Sequence, residues 1–205
     1  MAYPAALGAI PRPRRGRRVG LVMWALAAST AAAGAGGRFL GYRLNNTASA
    51  PEGLWRVVQR APLPAIRRGM IVAVCPPDAP VVREMEAKGY LELGGCPAGT
   101  VPFLKPVAAI AGDVVTIAPG KPVEVNGQVL PNTTQEADMP KYPAGRYRVA
   151  PGTVWLFSSF DPGSFDSRYF GPVKVAAVRA QVVPVLVRGN AAELTRGAIL
   201  RVRAL

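Results

Sequence analysis

An uncharged stretch of nineteen residues, Val19 to Gly37, constrains this chain more than any other feature. As a helix it would span roughly 28 Å, about the hydrocarbon thickness of a bilayer. Arg12, Arg14, Arg15, Arg17 and Arg18 stand just before it. Positive charge in that position stays in the cytoplasm, which sends the rest of the chain outward. The stretch is rich in Ala and Gly, with small residues from Ala33 to Gly37, so a cleaved secretory signal has the same outline. The resulting division is a basic cytoplasmic segment (1–18), a membrane-spanning anchor (19–37), an exported domain (38–190) and a C-terminal extension (191–205).

With 205 residues in total, the chain beyond the anchor is long enough for one good-sized domain. The 22 Gly and 21 Pro of the whole chain are scattered, which suits short strands and turns better than long helices. Leu54–Val58, Met70–Val74, Val101–Ile110, Asp113–Ile117, Tyr147–Val149, Thr153–Ser158 and Val173–Val187 read as strands. Asn126-Gly127 between two short arms, Glu124-Val125 and Gln128-Val129, is a strong hairpin signal. Residues 131–145 read as a loop. Pro80–Leu91 instead has helix formers and a stop at Gly89, and reads as a small helical cap within an insertion at about 75–100.

Composition narrows the chemistry. The formal charge is +13, yet the Arg cluster abuts an apolar run and no aromatic–basic interleaving comes after it. No nucleic-acid partner is expected. Histidine is absent. That removes Ser-His-Asp and Cys-His catalysis and histidine metal sites, and two cysteines alone cannot build a structural zinc site. No metal and no cofactor is expected, and an enzyme built from this chain needs a Lys or a carboxylate as its base. Cys75 and Cys96 are 21 positions apart. In an oxidising compartment they can close a loop worth roughly 3 kcal/mol; two buried free thiols are the other reading.

Three local features carry candidate chemistry. In Asn46-Thr47-Ala48-Ser49-Ala50-Pro51, a Ser followed by x-Pro at a loop-to-strand transition can present its hydroxyl beside free backbone N–H groups. An ordinary polar turn would look the same. Lys105 lies in the apolar run VPFLKPVAAI, sharing a strand face with Phe103, Val107 and Ala109. Burial there would lower its pKa toward the ~7–8 range of a general base; a Lys with its ammonium reaching solvent from an edge strand is the plain alternative. In Phe160–Val173, strand alternation would put Ser164, Asp166 and Arg168 on one side, with Asp166 paired to Arg168 or orienting a nearby amine.

Ser-x-Pro after an anchor, then Lys ahead of Gly112-Asp113, then Asp-Ser-Arg-Tyr-Phe-Gly-Pro-Val, resembles the type I signal peptidase family in order and spacing from Asn45 to about Val187. Cys75-Pro76-Pro77, Gly89-Tyr90 and Gly94-Gly95-Cys96-Pro97 resemble its TraF-type conjugative transfer branch. The resemblance implies a mainly β fold, with antiparallel sheets in a signal-peptidase-like coiled barrel. It implies Ser49 as nucleophile, Lys105 as general base and Asp166 as a supporting acid, with Thr47 able to assist an oxyanion. Ser164 and Arg168 stand as supporting residues. The implied partners are a precursor protein, pilin-like or otherwise exported, and the lipid of a bacterial inner membrane, with the catalytic domain in the periplasm. Products would be cleaved or, in some members of the branch, joined into a ring. Pro106 stands where relatives have Arg and removes a backbone donor beside the base, which puts strand pairing there in doubt. Rival readings are a non-catalytic β-domain of a conjugation or secretion machine, a LexA-like self-cleaving regulator, which would need a DNA-binding head where residues 1–37 offer an apolar anchor, and a housekeeping signal peptidase. A retained anchor predicts that the membrane-fraction protein has the mass of the full 205-residue chain; loss of the first ~35 residues in intact mass spectrometry would mark a cleaved signal.

Overall fold

The computed structural model describes residues 14–188, with the side chains of residues 14–18 excepted. Residues 1–13 of the basic segment and the whole C-terminal extension 191–205 lie outside the described residues. The described residues form two compact units that divide between Leu40 and Gly41. The first holds helix α1 (Arg14–Phe39), longer at both ends than the uncharged stretch. Within it Val19–Phe39 is long and apolar enough to cross a membrane, a property that a secretory signal shares.

The second unit is mainly β. Its strands are β1 (Tyr42–Asn45), β2 (Gly53–Arg60), β3 (Ile71–Val74), β4 (Phe103–Ala109), β5 (Val114–Ile117), β6 (Glu124–Val125), β7 (Gln128–Val129), β8 (Gly145–Arg148), β9 (Thr153–Leu156), β10 (Val173–Lys174) and β11 (Val178–Val187). Two helices interrupt them, α2 (Pro80–Ala87) and the single turn α3 (Ser167–Phe170). Seven strands form a curled antiparallel sheet in the order β1-β2-β11-β3-β4-β9-β10, and four form a second sheet in the order β7-β6-β5-β8. The long apolar run Val173–Val187 is thus not one strand. It pairs briefly with β9, turns through a 3₁₀ segment at Val175–Ala177, then crosses to lie between β2 and β3.

Two hydrophobic cores result from this layout. One packs Val72 and Val74 of β3 and Val107 of β4 against Val82 and Met85 of α2 and against Phe165, Tyr169 and Phe170. The other packs Val115, Ile117, Val123, Val125 and Leu130 around Trp155 and Phe157. The Asn126-Gly127 hairpin forms as expected, with both residues at positive φ (52° and 77°), the backbone a tight two-residue turn demands. Asp113 ties the two sheets together. It accepts bonds from the Arg68 guanidinium, from the Asn126 amide at 2.9 Å and from the Ile110 N–H at 2.9 Å. Burial works against its charge, and these partners outweigh it and hold the carboxyl below the usual carboxylate range.

Cys75 and Cys96 form a disulfide, which settles the choice that the sequence left open. It closes the segment carrying α2, whose Pro80 sits in the first turn, where its missing N–H is harmless. At the other edge of the sheet, β1 and β2 pair from Tyr42↔Arg56 to Asn45↔Gly53, and Val187 of β11 pairs with Gly53 from the other side. Gly53 has φ +137°, and a Cβ there would lie 2.2 Å from the Leu186 carbonyl oxygen and 2.7 Å from the Val187 Cα. Gly53→Ala is expected to destabilise the domain by about 2 kcal/mol or more, since the atoms it would meet are β11 backbone, which has nothing soft to yield. Chemical denaturation of the two forms checks this, and an unchanged midpoint would show that the β2–β11 contact can shift.

Candidate active site

Ser49 lies in the connection between β1 and β2, and that connection is built from side-chain bonds. The Asn45 amide, at the end of β1, donates to the carbonyls of Thr47 (2.9 Å), Ala50 (2.9 Å) and Pro51 (3.1 Å). Its own carbonyl oxygen accepts from the Thr47 hydroxyl (2.9 Å) and the Thr47 N–H (3.4 Å). Trp55 donates from its indole N–H to the Pro51 carbonyl at 2.9 Å. Ala50 is buried beside Trp55, Ile71 and Val182, while Ser49 is half-buried and Thr47 exposed. The loop is therefore nailed down at its C-terminal side and open at the side facing solvent.

Lys105 sits in the middle of β4, paired with β3 on one side through Val72. The doubt over Pro106 is resolved: it stays within the strand opposite Ile71, and Val107 next to it donates to the Met70 carbonyl at 2.8 Å. The Lys105 side chain is 3% exposed. Its Nζ lies 2.7 Å from Ser49 Oγ and 2.6 Å from Ser164 Oγ, and the two hydroxyl oxygens are 3.2 Å apart. The amine also lies 5.9 Å from the centre of the Phe103 ring, so these residues share a face as alternation requires. Burial pulls the Lys105 pKa down from 10.5 to about 8; Asp166 and Asp161 work against that shift and Arg168 with it.

The segment around Asp166 departs from the sequence reading. Phe160–Arg168 is not an alternating strand with Ser164, Asp166 and Arg168 on one side. Asp166 is the N-cap of α3, its carboxylate accepting from the Arg168 N–H at 3.1 Å. A short acidic side chain just ahead of a helical turn favours this local bond over the extended chain. The Asp166–Arg168 pair itself is present, with Nε to Oδ1 at 2.9 Å, and both residues are 0% exposed. Burial opposes the Arg168 charge, but Asp166 more than compensates and holds the guanidinium above its ordinary range. The Arg168 terminal nitrogens also donate to the carbonyls of Ser164, Pro162, Thr134 and Asn132, so this one side chain fixes the loop that presents the Ser164 hydroxyl. Asp166 makes no hydrogen bond to Lys105, whose partners are the two serines.

Two contributors escape the sequence reading. Asn45 is one. Ser158 is the other: it donates its hydroxyl to the Ser49 carbonyl at 2.6 Å and its N–H to Asp166 Oδ2 at 3.0 Å. Asn at a strand end four residues before a Ser is a readable sign of a side-chain-locked turn; Ser158 carries no local sign. The Thr47 hydroxyl has its hydrogen on Asn45, so it would have to rotate to reach an oxyanion. Among the described residues no group of His, Cys, Asp and Glu side chains is placed to hold a metal ion.

The curled antiparallel sheet thus brings a buried amine against a serine hydroxyl. Residues 19–187 match the family described as signal peptidase, peptidase S26, and the chain belongs to that family. It is 39% identical over 152 residues to the probable conjugal transfer protein TraF of Sinorhizobium fredii, covering 72% of this chain and 78% of that one. It is 39% identical over 164 residues to the conjugal transfer protein TraF of Agrobacterium tumefaciens (78% and 88%) and 34% identical over 158 residues to the plasmid transfer protein TraF of Escherichia coli (74% and 86%). A crystal structure of a signal peptidase I from Enterococcus faecalis, 18% identical, covers 58% of this chain and 97% of its own at a TM-score of 0.34, too low for comparing sites.

The shifted amine makes a stability prediction. The unfolded chain keeps the Lys105 proton up to about 10.5 and the folded chain releases it near 8, so below that lower value the charge costs the fold roughly 3 kcal/mol, and the cost fades as the pH rises between the two. Lys105→Met is expected to melt no lower than the parent at about pH 7, with its relative advantage shrinking by about pH 9.5. Thermal unfolding of both forms at the two pH values checks this, and a clear loss of stability at the lower pH would contradict it.

Proposed function

We propose that this chain is a membrane-anchored serine endopeptidase in which Ser49 is the nucleophile and Lys105 the general base. The observation that carries the reading is the 2.7 Å separation of Lys105 Nζ and Ser49 Oγ in a setting that strips the amine of water. A neutral amine has one lone pair and two N–H donors. In that form the three groups can close a ring: the Ser49 hydroxyl donates to Nζ, Nζ donates to Ser164 Oγ, and the Ser164 hydroxyl donates to Ser49 Oγ.

In the reaction Ser49 Oγ bonds to the scissile carbonyl carbon as its proton passes to Lys105 Nζ. The oxyanion faces the Ser49 N–H, with the Thr47 hydroxyl as a second donor once it turns from Asn45; such donors are commonly worth ~3–4 kcal/mol each. Collapse breaks the peptide C–N bond, and Lys105 returns the proton to the leaving amine. Water, or a peptide amine, then attacks the acyl carbon as Lys105 takes its proton; the ester bond to Ser49 breaks and Lys105 returns that proton to Ser49 Oγ, releasing an acid or a joined or cyclic product. Asp166 and Arg168 hold the loop that carries Ser164 and add charge near the amine without touching it.

The conjugal and plasmid transfer names of the relatives support a role in conjugation, with a pilin-like precursor as the substrate. The anchor α1 would hold the catalytic unit at the outer face of the bacterial inner membrane, with the Arg cluster in the cytoplasm. Such tethering concentrates the enzyme where an exported precursor emerges.

Ser49→Ala and Lys105→Ala are each expected to lower processing of a precursor about a thousandfold or more while leaving the fold intact. The pH profile of kcat/KM should rise as the amine loses its proton, through a midpoint near 8, and level off above. Precursor cleavage followed by gel and mass spectrometry gives both readouts; normal processing by either variant would reject the dyad.

A further inference from the structure

Asp166 is too fully engaged elsewhere to serve the amine directly. Its Oδ1 accepts from the Arg168 N–H (3.1 Å) and Nε (2.9 Å), and its Oδ2 from an Arg168 terminal nitrogen (3.1 Å) and the Ser158 N–H (3.0 Å). Four donors fill both oxygens of a carboxylate that is 0% exposed. Three of those donors belong to Arg168, and the fourth leads away toward Ser158.

Ser158 lies two residues past the end of β9 and is 0% exposed. Its hydroxyl accepts from the Phe160 N–H at 3.3 Å and donates to the Ser49 carbonyl at 2.6 Å. That carbonyl belongs to the peptide joining Ser49 to the buried Ala50. Holding it, with Ala50 buried next to it, fixes the plane of the Ser49–Ala50 peptide and the position of the Ser49 Cα, the base from which Cβ, Oγ and the N–H project toward Lys105. From these contacts we infer that Ser158 is a positioning residue, through which the Asp166–Arg168 pair orients the nucleophile by way of its main-chain carbonyl.

This inference rests on the assignment of Ser49 and Lys105 as the reacting pair. It gives the buried acid a task beside its through-space effect on the base. Cutting the path at Ser158 leaves Lys105 with both of its serine partners, so the titration of the amine stays where it was while the attack angle loosens. A hydroxyl that served stability alone would change the fraction of working molecules and leave the turnover of each one untouched.

The test uses the full chain in detergent and the p-nitrophenyl ester of an acetylated trialanine, with turnover normalised to the burst of p-nitrophenol and corrected with Ser49→Ala. Ser158→Ala is expected to lower kcat per working site about 10- to 100-fold, with KM and the midpoint of the pH profile unmoved. Ser158→Cys, close in size and a weaker donor, is expected to fall between the two, and it carries the measurement should the alanine variant not fold. Asp166→Asn also slows turnover. The Ser158→Ala/Asp166→Asn double variant should be about as slow as the slower single variant, because both changes cut one path. Parental kcat in Ser158→Ala or in Ser158→Cys, a pH midpoint shifted by either change at Ser158, or single losses that multiply in the double variant would overturn the inference and leave the dyad standing. An active Lys105→Ala would instead overturn the assignment on which the inference rests.

Discussion

A primary amine held almost wholly out of water is costly, and much of the surrounding structure serves to keep it there. Lys105 sits on β4, an inner strand flanked by β3 and β9, and every residue from Lys105 to Ala109 is buried. Among the described residues the amine has two hydroxyls and the face of Phe103 for partners, and no direct carboxylate. A contacting carboxylate would have restored the charge and with it an ordinary ammonium. Asp166 and Asp161 do pull the other way through space, yet Arg168 and above all burial keep the amine near the point where half of it is neutral in mildly alkaline water.

That expense is tolerable because the rest of the unit is tied together independently. The two cores meet along β4 and β9, one on each side of the strand pair that carries the amine. Asp113 pins the second sheet to the turn that leads into β3. The Cys75–Cys96 bridge closes the insertion from which α2 covers the first core. The polar machinery is also divided by task. Arg168 gathers the carbonyls of two loops around one guanidinium, and Asn45 does the same for the turn carrying Ser49 with a neutral amide.

Much of the strand layout is legible in the sequence, because Pro and Gly punctuate the apolar runs: Met70–Val74, Val101–Ile110 and Asp113–Ile117 each contain the strand found there. The Asn-Gly hairpin and the helix ahead of Gly89 are legible for the same local reason. Strand β1 is not, since four residues with one exposed Leu carry too little alternation to stand out beside the end of a long helix. Phe160–Arg168 misleads because alternating polar residues can signal either a strand or a capped turn, and the local Asp166 bond to the Arg168 N–H decides it. Ser49, Lys105 and Ser164 are each conspicuous, but their convergence depends on pairings across 56 and 59 residues, which no local pattern encodes. Ser158 is the extreme case: its partners lie 109 residues before it and 8 after it, and its own surroundings are ordinary polar sequence.

The order of strands in the large sheet has a temporal meaning. β11, the last of these strands to leave the ribosome, lies between the β1–β2 arm that bears the serine and the β3–β4 arm that bears the lysine. Until it arrives those arms share no sheet, and loop closure over such separations is slow. A nascent or truncated chain therefore holds its alcohol and its amine on disconnected pieces. With the latest of these strands between them, the meeting of that alcohol and that amine is a late event in building the sheet.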